Sequence, residues 1–370
     1  MSGSWGRVSS FLKLSKEETK KIVWLALAFF CVIGGYTILK EMKDSLFVTL
    51  SGVDSMFMAK IISLCALIPA TLLYAKLVDS VSRYKLLWIY TTVYAVGGLI
   101  IALLLNTSSV GLLSNEITMS RKVFGWFIYL FYEGANPFVV SLFWSFSNSI
   151  TSPGSAKRGY AVMTSGAKLG GMTTAGIAWV LFNFSGAHAW VSDVWVYQFL
   201  LAGASLLLWC APYIIYKLRK GSSEQSLHGY EAAYQVDHKK EEKGERKTGI
   251  LSGLWMMKKH SYIFGIFGMI FFYELINVVL GVQRLVIMEG AAKSLSGFSG
   301  SLFGQRFLMH SLGFAISFFG TRPLINKLGE RVCLLLIPII MSTLLLIFML
   351  FYNEQAVLIV FMLIGTLNYA

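Results

Sequence analysis

Hydrophobic residues run through this chain in long blocks, not in the alternating or one-faced patterns of water-soluble strands and helices. No Asp, Glu, Lys or Arg occurs in 22–39, 86–115, 194–216 or 332–353. Runs of that length predict helices that cross a bilayer, whose hydrocarbon core needs about 20 apolar residues. Ten apolar segments stand out, near 22–42, 56–78, 84–106, 123–149, 158–184, 194–217, 260–283, 299–321, 331–352 and 355–370. The expected class is therefore an all-α integral membrane protein. Composition agrees: 56% of residues are hydrophobic and 14% charged, against about 25% charged in an ordinary soluble domain.

Charge in the connections predicts orientation. With the N-terminus in the cytoplasm, twenty-two basic residues fall on the inner side and six on the outer, the six being Lys40, Lys43, Arg121, Lys122, Arg284 and Lys293. That asymmetry favours an inner N-terminus. The net charge of +13 then reads as anchoring beside anionic lipid, and nucleic-acid binding is not needed to account for it. Glu17, Glu18 and four lysines stand where the apolar stretch of a cleavable signal would begin. Cys31, Cys65, Cys210 and Cys333 lie singly in apolar segments, so neither a disulfide framework nor a metal site is expected.

Residues 219–259 mix six acidic with nine basic side chains and read as a solvated linker. Six apolar segments precede it and four follow. The domains expected are an N-terminal six-helix bundle over 1–217, a cytoplasmic linker over 218–259, and an incomplete C-terminal bundle over 260–370. Ten spans of an expected twelve make a truncated product or a fragment the natural reading. Two short connections point to an internal repeat. Asp79 and Arg83 follow the second segment, and Arg322, Asn326 and Arg331 follow the eighth. Both resemble the loop signature of the major facilitator superfamily, in which acidic and basic residues brace the cytoplasmic helix ends. Asp79 and Arg83 are on that reading gate residues that do not touch substrate.

Ionisable residues inside a span are costly, about 2.5–3.5 kcal/mol on insertion scales, and usually face protein or a watery cavity. Lys60, Glu133, Lys168, Glu274 and Arg306 are such residues, and Lys40-Glu-Met-Lys43-Asp44 sits between apolar flanks as though held within one long helix. Lys60 lies one turn into its segment and reads mainly as a snorkelling side chain. Glu133 lies too deep to snorkel, and Pro137 is expected to free its carbonyl. A proton, a cation or a substrate hydroxyl fits there, as does an ion pair with Lys43 or Lys168. Lys168 stands in Gly166-Ala-Lys-Leu-Gly170-Gly171, where small residues permit close approach of a helix or ligand. His310, one turn beyond Arg306, reads as a packed hydrogen-bonding group. Cations outnumber anions within the apolar segments, which favours an anionic substrate. No GxxxxGK[ST], kinase or HExxH motif occurs, so ATP hydrolysis and a bound cofactor are not expected.

Two stretches carry a family likeness. Residues 36–49, Tyr-Thr-Ile-Leu-Lys-Glu-Met-Lys-Asp-Ser-Leu-Phe-Val-Thr, and 132–151, which open Tyr-Glu-Gly-Ala-Asn-Pro, closely resemble signatures of the ATP/ADP translocases of plastids and obligate intracellular bacteria. Ala156-Lys-Arg-Gly-Tyr160 resembles the entry to that family's fifth helix. The resemblance implies a facilitator-like carrier of twelve helices that exchanges nucleotides by alternating access, with essential residues at Lys43 and Glu133. The chain departs from the family at Leu280, where an acid is expected in the seventh helix; Glu274 lies six residues earlier. Lys168 stands where the family more often has a neutral residue.

The substrate-binding set expected is Lys43, Glu133, Lys168, Arg284, Arg306 and Lys40. Three functions remain open at this point: nucleotide antiport, proton-coupled transport of another organic anion, and a transport-dead membrane protein serving as a partner. The short N-terminus favours a bacterial inner membrane over a plastid envelope.

Overall fold

The computed structural model describes residues 15–114, 116, 118–221, 252–320, 324, 327–351 and 353–369. The described residues form helices and no strand. In chain order these are α1 (Lys16–Ser51), α2 (Met56–Ser80), α3 (Arg83–Leu105), α4 (Met119–Glu133), α5 (Ser141–Ile150), α6 (Pro153–Ala187), α7 (Asp193–Lys220), α8 (Ser252–Lys259), α9 (Ser261–Ala291), α10 (Leu295–Ala315), α11 (Glu330–Leu350) and α12 (Glu354–Tyr369). Among the described residues, each apolar segment of the sequence falls largely in helix. Five described helical stretches, in α1, α2, α3, α7 and α9, are long and apolar enough to cross a membrane. The chain is an all-α membrane protein. α6 and α10 contain Lys168 and Arg306 and many Gly, Ser and Thr residues, and they lie against protein neighbours.

Several helices run past the ends expected for them, α1 among them, which carries Lys40 and Lys43 within it. α9 continues to Ala291, so Arg284 belongs to a helix and not, as its charge and position suggest in the sequence, to an outer connection. The expected segment 123–149 is one element with a flaw. A π-helical turn at Asn136–Val140 joins α4 to α5, because Pro137 has no N–H to keep the α-helical ladder in register. Phe138 N–H reaches the Gly134 carbonyl at 3.2 Å. A second π turn, Ile316–Gly320, ends α10.

α1 is the axis of the fold. Its 36 residues rise about 54 Å at 1.5 Å per residue, beyond the roughly 30 Å of hydrocarbon. Ser15 caps its start by accepting the Glu18 N–H at 3.2 Å. Lys21 ties that end to α5 through the Ile150 carbonyl, 2.9 Å away. Gly52, at φ 88°, ends the helix in a conformation that suits glycine. Ala26, Phe30 and Gly34 recur every fourth residue and meet Gly166, Gly170 and Thr174 of α6. Small residues on both helices bring the backbones together. A Cβ on Gly170 would run into the Phe30 carbonyl, and one on Gly34 would lie 3.1 Å from Thr174 Cγ2. Gly170→Val should therefore lower stability by about 1–3 kcal/mol, because a backbone carbonyl cannot swing aside. Thermal unfolding in detergent, read beside Gly203→Val, reports it: nothing crowds Gly203, and equal melting of the two variants would refute the close approach.

Three apolar clusters organise the remainder. The largest joins α1 with α3 to α7, around Leu25, Phe29, Phe143, Phe146 and Leu201. Phe47 of α1 and Tyr129 of α4 meet Leu285, Phe298 and Leu302 of α9 and α10 in a second. The third holds Leu280, Met309, Met341, Phe361 and Ile364 of α9 to α12. α2 and the first half of α9 turn large apolar side chains outward, including Leu64, Ile68, Phe264 and Phe272, as lipid-facing helices do.

Candidate functional site

A cavity of about 260 Å³ lies between α1, α2 and α4 on one side and α9, α10 and α12 on the other. That is just under the roughly 300–1,000 Å³ of typical ligand clefts. Its wall carries five cationic side chains, Lys40, Lys43, Lys60, Arg284 and Arg306, and three carboxylates, Asp44, Glu133 and Glu274. Helical spacing explains the grouping. Tyr36, Lys40 and Lys43 follow one another at intervals of four and three residues on α1, and Glu274, Asn277, Gly281 and Arg284 do the same on α9.

Two ionic nodes flank the cavity. In the first, Lys43 forms a hydrogen-bonded ion pair with Glu133. Lys60 of α2 approaches the other Glu133 oxygen at 3.8 Å, and Asp44 lies 3.3 Å from the Lys43 ammonium. The Tyr129 ring, one turn before Glu133, has the Lys43 ammonium 4.5 Å and the Lys60 ammonium 5.3 Å from its centroid. Aromatic face and carboxylate thus hold two like charges near each other. Of the alternatives open for Glu133, this conformation has the ion pair with Lys43. Lys60 turns into the cavity wall and does not snorkel to the interface.

The second node is Glu41, fully buried on α1. It accepts from Arg284 Nη2 at 3.0 Å and from Arg306 Nε at 2.7 Å. Arg284 also donates to the Leu302 carbonyl at 3.1 Å and lies over the Phe361 ring. Around Glu41, the same face of α1 makes two more polar contacts at four-residue spacing. Thr37 pairs with His310 Nε2 at 3.2 Å, and that imidazole packs over Gly171 of α6, where no Cβ is in the way. Ser45, Tyr197 of α7 and Ser299 of α10 close a buried ring of hydroxyls with sides of 2.5–2.6 Å. One polar seam therefore joins α1 to α10 from Thr37 to Ser45.

A family model described as the TLC ATP/ADP transporter matches residues 5–369. The chain belongs to the TLC ATP/ADP transporter family. Among curated relatives, ADP,ATP carrier protein 2, chloroplastic, of Arabidopsis thaliana is 32% identical over 170 residues, covering 40% of this chain and 28% of that protein. ADP,ATP carrier protein 1 of Chlamydia muridarum is 29% identical over 187 residues, 45% of this chain and 35% of its own. The corresponding Rickettsia bellii carrier is 26% identical over 167 residues, 40% and 34% of the two chains. The matched stretch thus spans about a third of the length of these relatives. No solved structure matches the chain significantly.

Of the residues expected to bind substrate, Lys40, Lys43, Glu133, Arg284 and Arg306 share the cavity wall. Lys168 does not. It is buried on α6, one turn before Gly171, on which His310 packs. Arg83 opens α3, half-buried and away from the cavity. The side chain of Asp79, and Arg322 and Asn326 of the matching connection, lie outside the described residues. Leu280 packs in the apolar third cluster, whereas Glu274 faces the cavity. Glu41, like Asp44, Lys60 and Glu274, stands outside the expected binding set; its signal in the sequence is a carboxylate between two cavity lysines, in the charged run that Asp44 closes.

Proposed function

We propose that this protein is an ATP/ADP-type nucleotide antiporter that works by alternating access, its phosphate-binding groups being Lys40 and Lys43, with Arg284 and Arg306, held by Glu41 in this conformation, in the wall behind them. The observation that carries this reading is the cationic wall of a cavity set among membrane helices. Fixed positive charge in a weakly polarisable surround offsets the dehydration of a phosphate chain. Lysines meet phosphates as point charges, and arginines offer planar paired donors. Lys168 adds to that potential from behind Arg306. Glu133 holds Lys43 while no anion is bound; an arriving phosphate takes its place, and the released carboxylate turns to Lys60. Its pairing with a lysine favours this role over that of a proton carrier.

On this reading the carrier is facilitator-like, with bundles over 1–217 and 260–370 and a cytoplasmic linker over 218–259. Asp79 and Arg83 brace its inner helix ends. With the N-terminus in the cytoplasm of a bacterial inner-membrane protein, α1 runs outward. The seam at Thr37, Glu41 and Ser45 lies level with the cavity residues Tyr36, Lys40 and Asp44 and holds α1 to α10 there. The test is uptake of labelled ATP into proteoliposomes loaded or not with ADP. Uptake that requires internal ADP is the expected result. Uptake indifferent to ADP but driven by an imposed pH gradient overturns the exchange reading, and absence of nucleotide binding overturns the substrate class.

A further inference from the structure

Glu274 differs from the other two carboxylates of the cavity. Asp44 and Glu133 each have a lysine within 4 Å. Glu274 is exposed to the cavity on α9, and among the described residues no basic side chain lies within ion-pair distance of it. Its partner is Asn277, whose side-chain amide donates to Oε2 at 3.5 Å. A carboxylate placed among membrane helices without a counter-charge is costly unless something donates to it. Glu274 repels phosphate, so it does not extend the cationic site. It polarises the cavity instead. From Glu274 to Arg284 the helix rises about 15 Å, which sets a hydrogen-bond acceptor toward one end of the cavity and guanidinium groups toward the other.

We propose that Glu274, oriented by Asn277, is the sugar subsite of the cavity, accepting hydrogen bonds from the vicinal ribose hydroxyls of a nucleotide whose phosphates lie toward Arg284 and Arg306. This rests on the nucleotide reading given above. The chemistry is that of an acceptor-only group with two oxygens facing a diol with two donors. The same pairing of a carboxylate with ribose recurs in dinucleotide-binding folds. The subsite sets both the direction in which the nucleotide lies and the preference for ribose over deoxyribose. A cavity lined only by cations would hold the phosphate chain in either sense.

The test is competition against labelled ATP bound to the purified full chain, with ATP, 2′-deoxy-ATP, ITP and inorganic triphosphate as competitors. In the native protein 2′-deoxy-ATP should compete about ten- to a hundredfold more weakly than ATP, the range expected for losing one hydrogen bond to a charged group. In Glu274→Ala and Glu274→Gln that gap should shrink to about threefold or less, with ATP itself weakened. Inorganic triphosphate should compete as in the native protein, which also shows that the variants are folded. An unchanged preference for ATP over 2′-deoxy-ATP in the variants overturns the proposal. So does a loss of discrimination between ATP and ITP instead, since the carboxylate would then read the base. Failure of the native protein to bind any nucleotide sinks the nucleotide reading itself, an outcome distinct from either.

Discussion

Lys43→Ala is expected to weaken ATP binding by about two orders of magnitude or more, the scale on which truncating one member of a buried charged pair costs 2–5 kcal/mol. Two effects combine. The variant removes a cavity ammonium that would meet the phosphates, and it leaves Glu133 and Asp44 with less positive charge nearby. Lys60, 3.8 Å from Glu133, can hold that carboxylate, which then no longer yields to an arriving anion. Equilibrium binding of labelled ATP reads the loss directly, and exchange in proteoliposomes should fall below detection. Lys43→Arg distinguishes charge from geometry. It keeps the positive charge but spreads it over a wider plane in the space between Tyr129 and Glu133, so binding should recover in part while exchange stays impaired. Affinity within threefold of the native protein in Lys43→Ala would remove Lys43 from the phosphate site.

The second large effect concerns stability. Glu41→Gln should destabilise the folded protein by about 3–5 kcal/mol, the scale for removing one partner of a buried ionic pair. Glu41 is fully buried and neutralises two arginines that are themselves almost inaccessible, at 2% and 3% exposure of their side chains. Glutamine retains the shape and one acceptor oxygen but leaves two guanidinium groups facing each other without a counter-charge. Thermal unfolding in detergent should show a fall of many degrees. Adding Arg306→Met to Glu41→Gln should restore part of it, because the repulsion then disappears with one of the cations. Additive losses in the double variant would show that the three groups are not coupled.

The legible part of this structure is local. A charged cluster with apolar sequence on both sides, Lys40 to Asp44, can persist only inside a helix packed against protein, and α1 runs through it without a break. The small residues around Lys168 read correctly as a place of close helix approach, since Gly166 and Gly170 face the α1 backbone. What was not legible depends on partners far away along the chain. Arg284 stands just past an apolar run, where charge ordinarily marks a loop. Its partners, Glu41 at 243 residues earlier, the Leu302 carbonyl and the Phe361 ring, make it affordable inside α9. Pro137 signalled a break near Glu133, but not whether the chain would kink, unwind or, as it does, add a π turn. Lys168 has the same apolar context as Lys43, and helical periodicity alone does not tell a side chain that lines a cavity from one packed between helices.

One rigid rod, α1, carries two working surfaces. Tyr36, Lys40, Lys43 and Asp44 look into the cavity, while Thr37, Glu41 and Ser45, each offset by about 100° from Tyr36, Lys40 and Asp44, hold the seam to α10. A helix cannot turn one flank without turning the other. On the antiport reading, a rotation of α1 would therefore act on the anion site and on the seam together. On the antiport reading, a compound that wedged apart Ser45, Tyr197 and Ser299 should weaken nucleotide binding without entering the nucleotide's space.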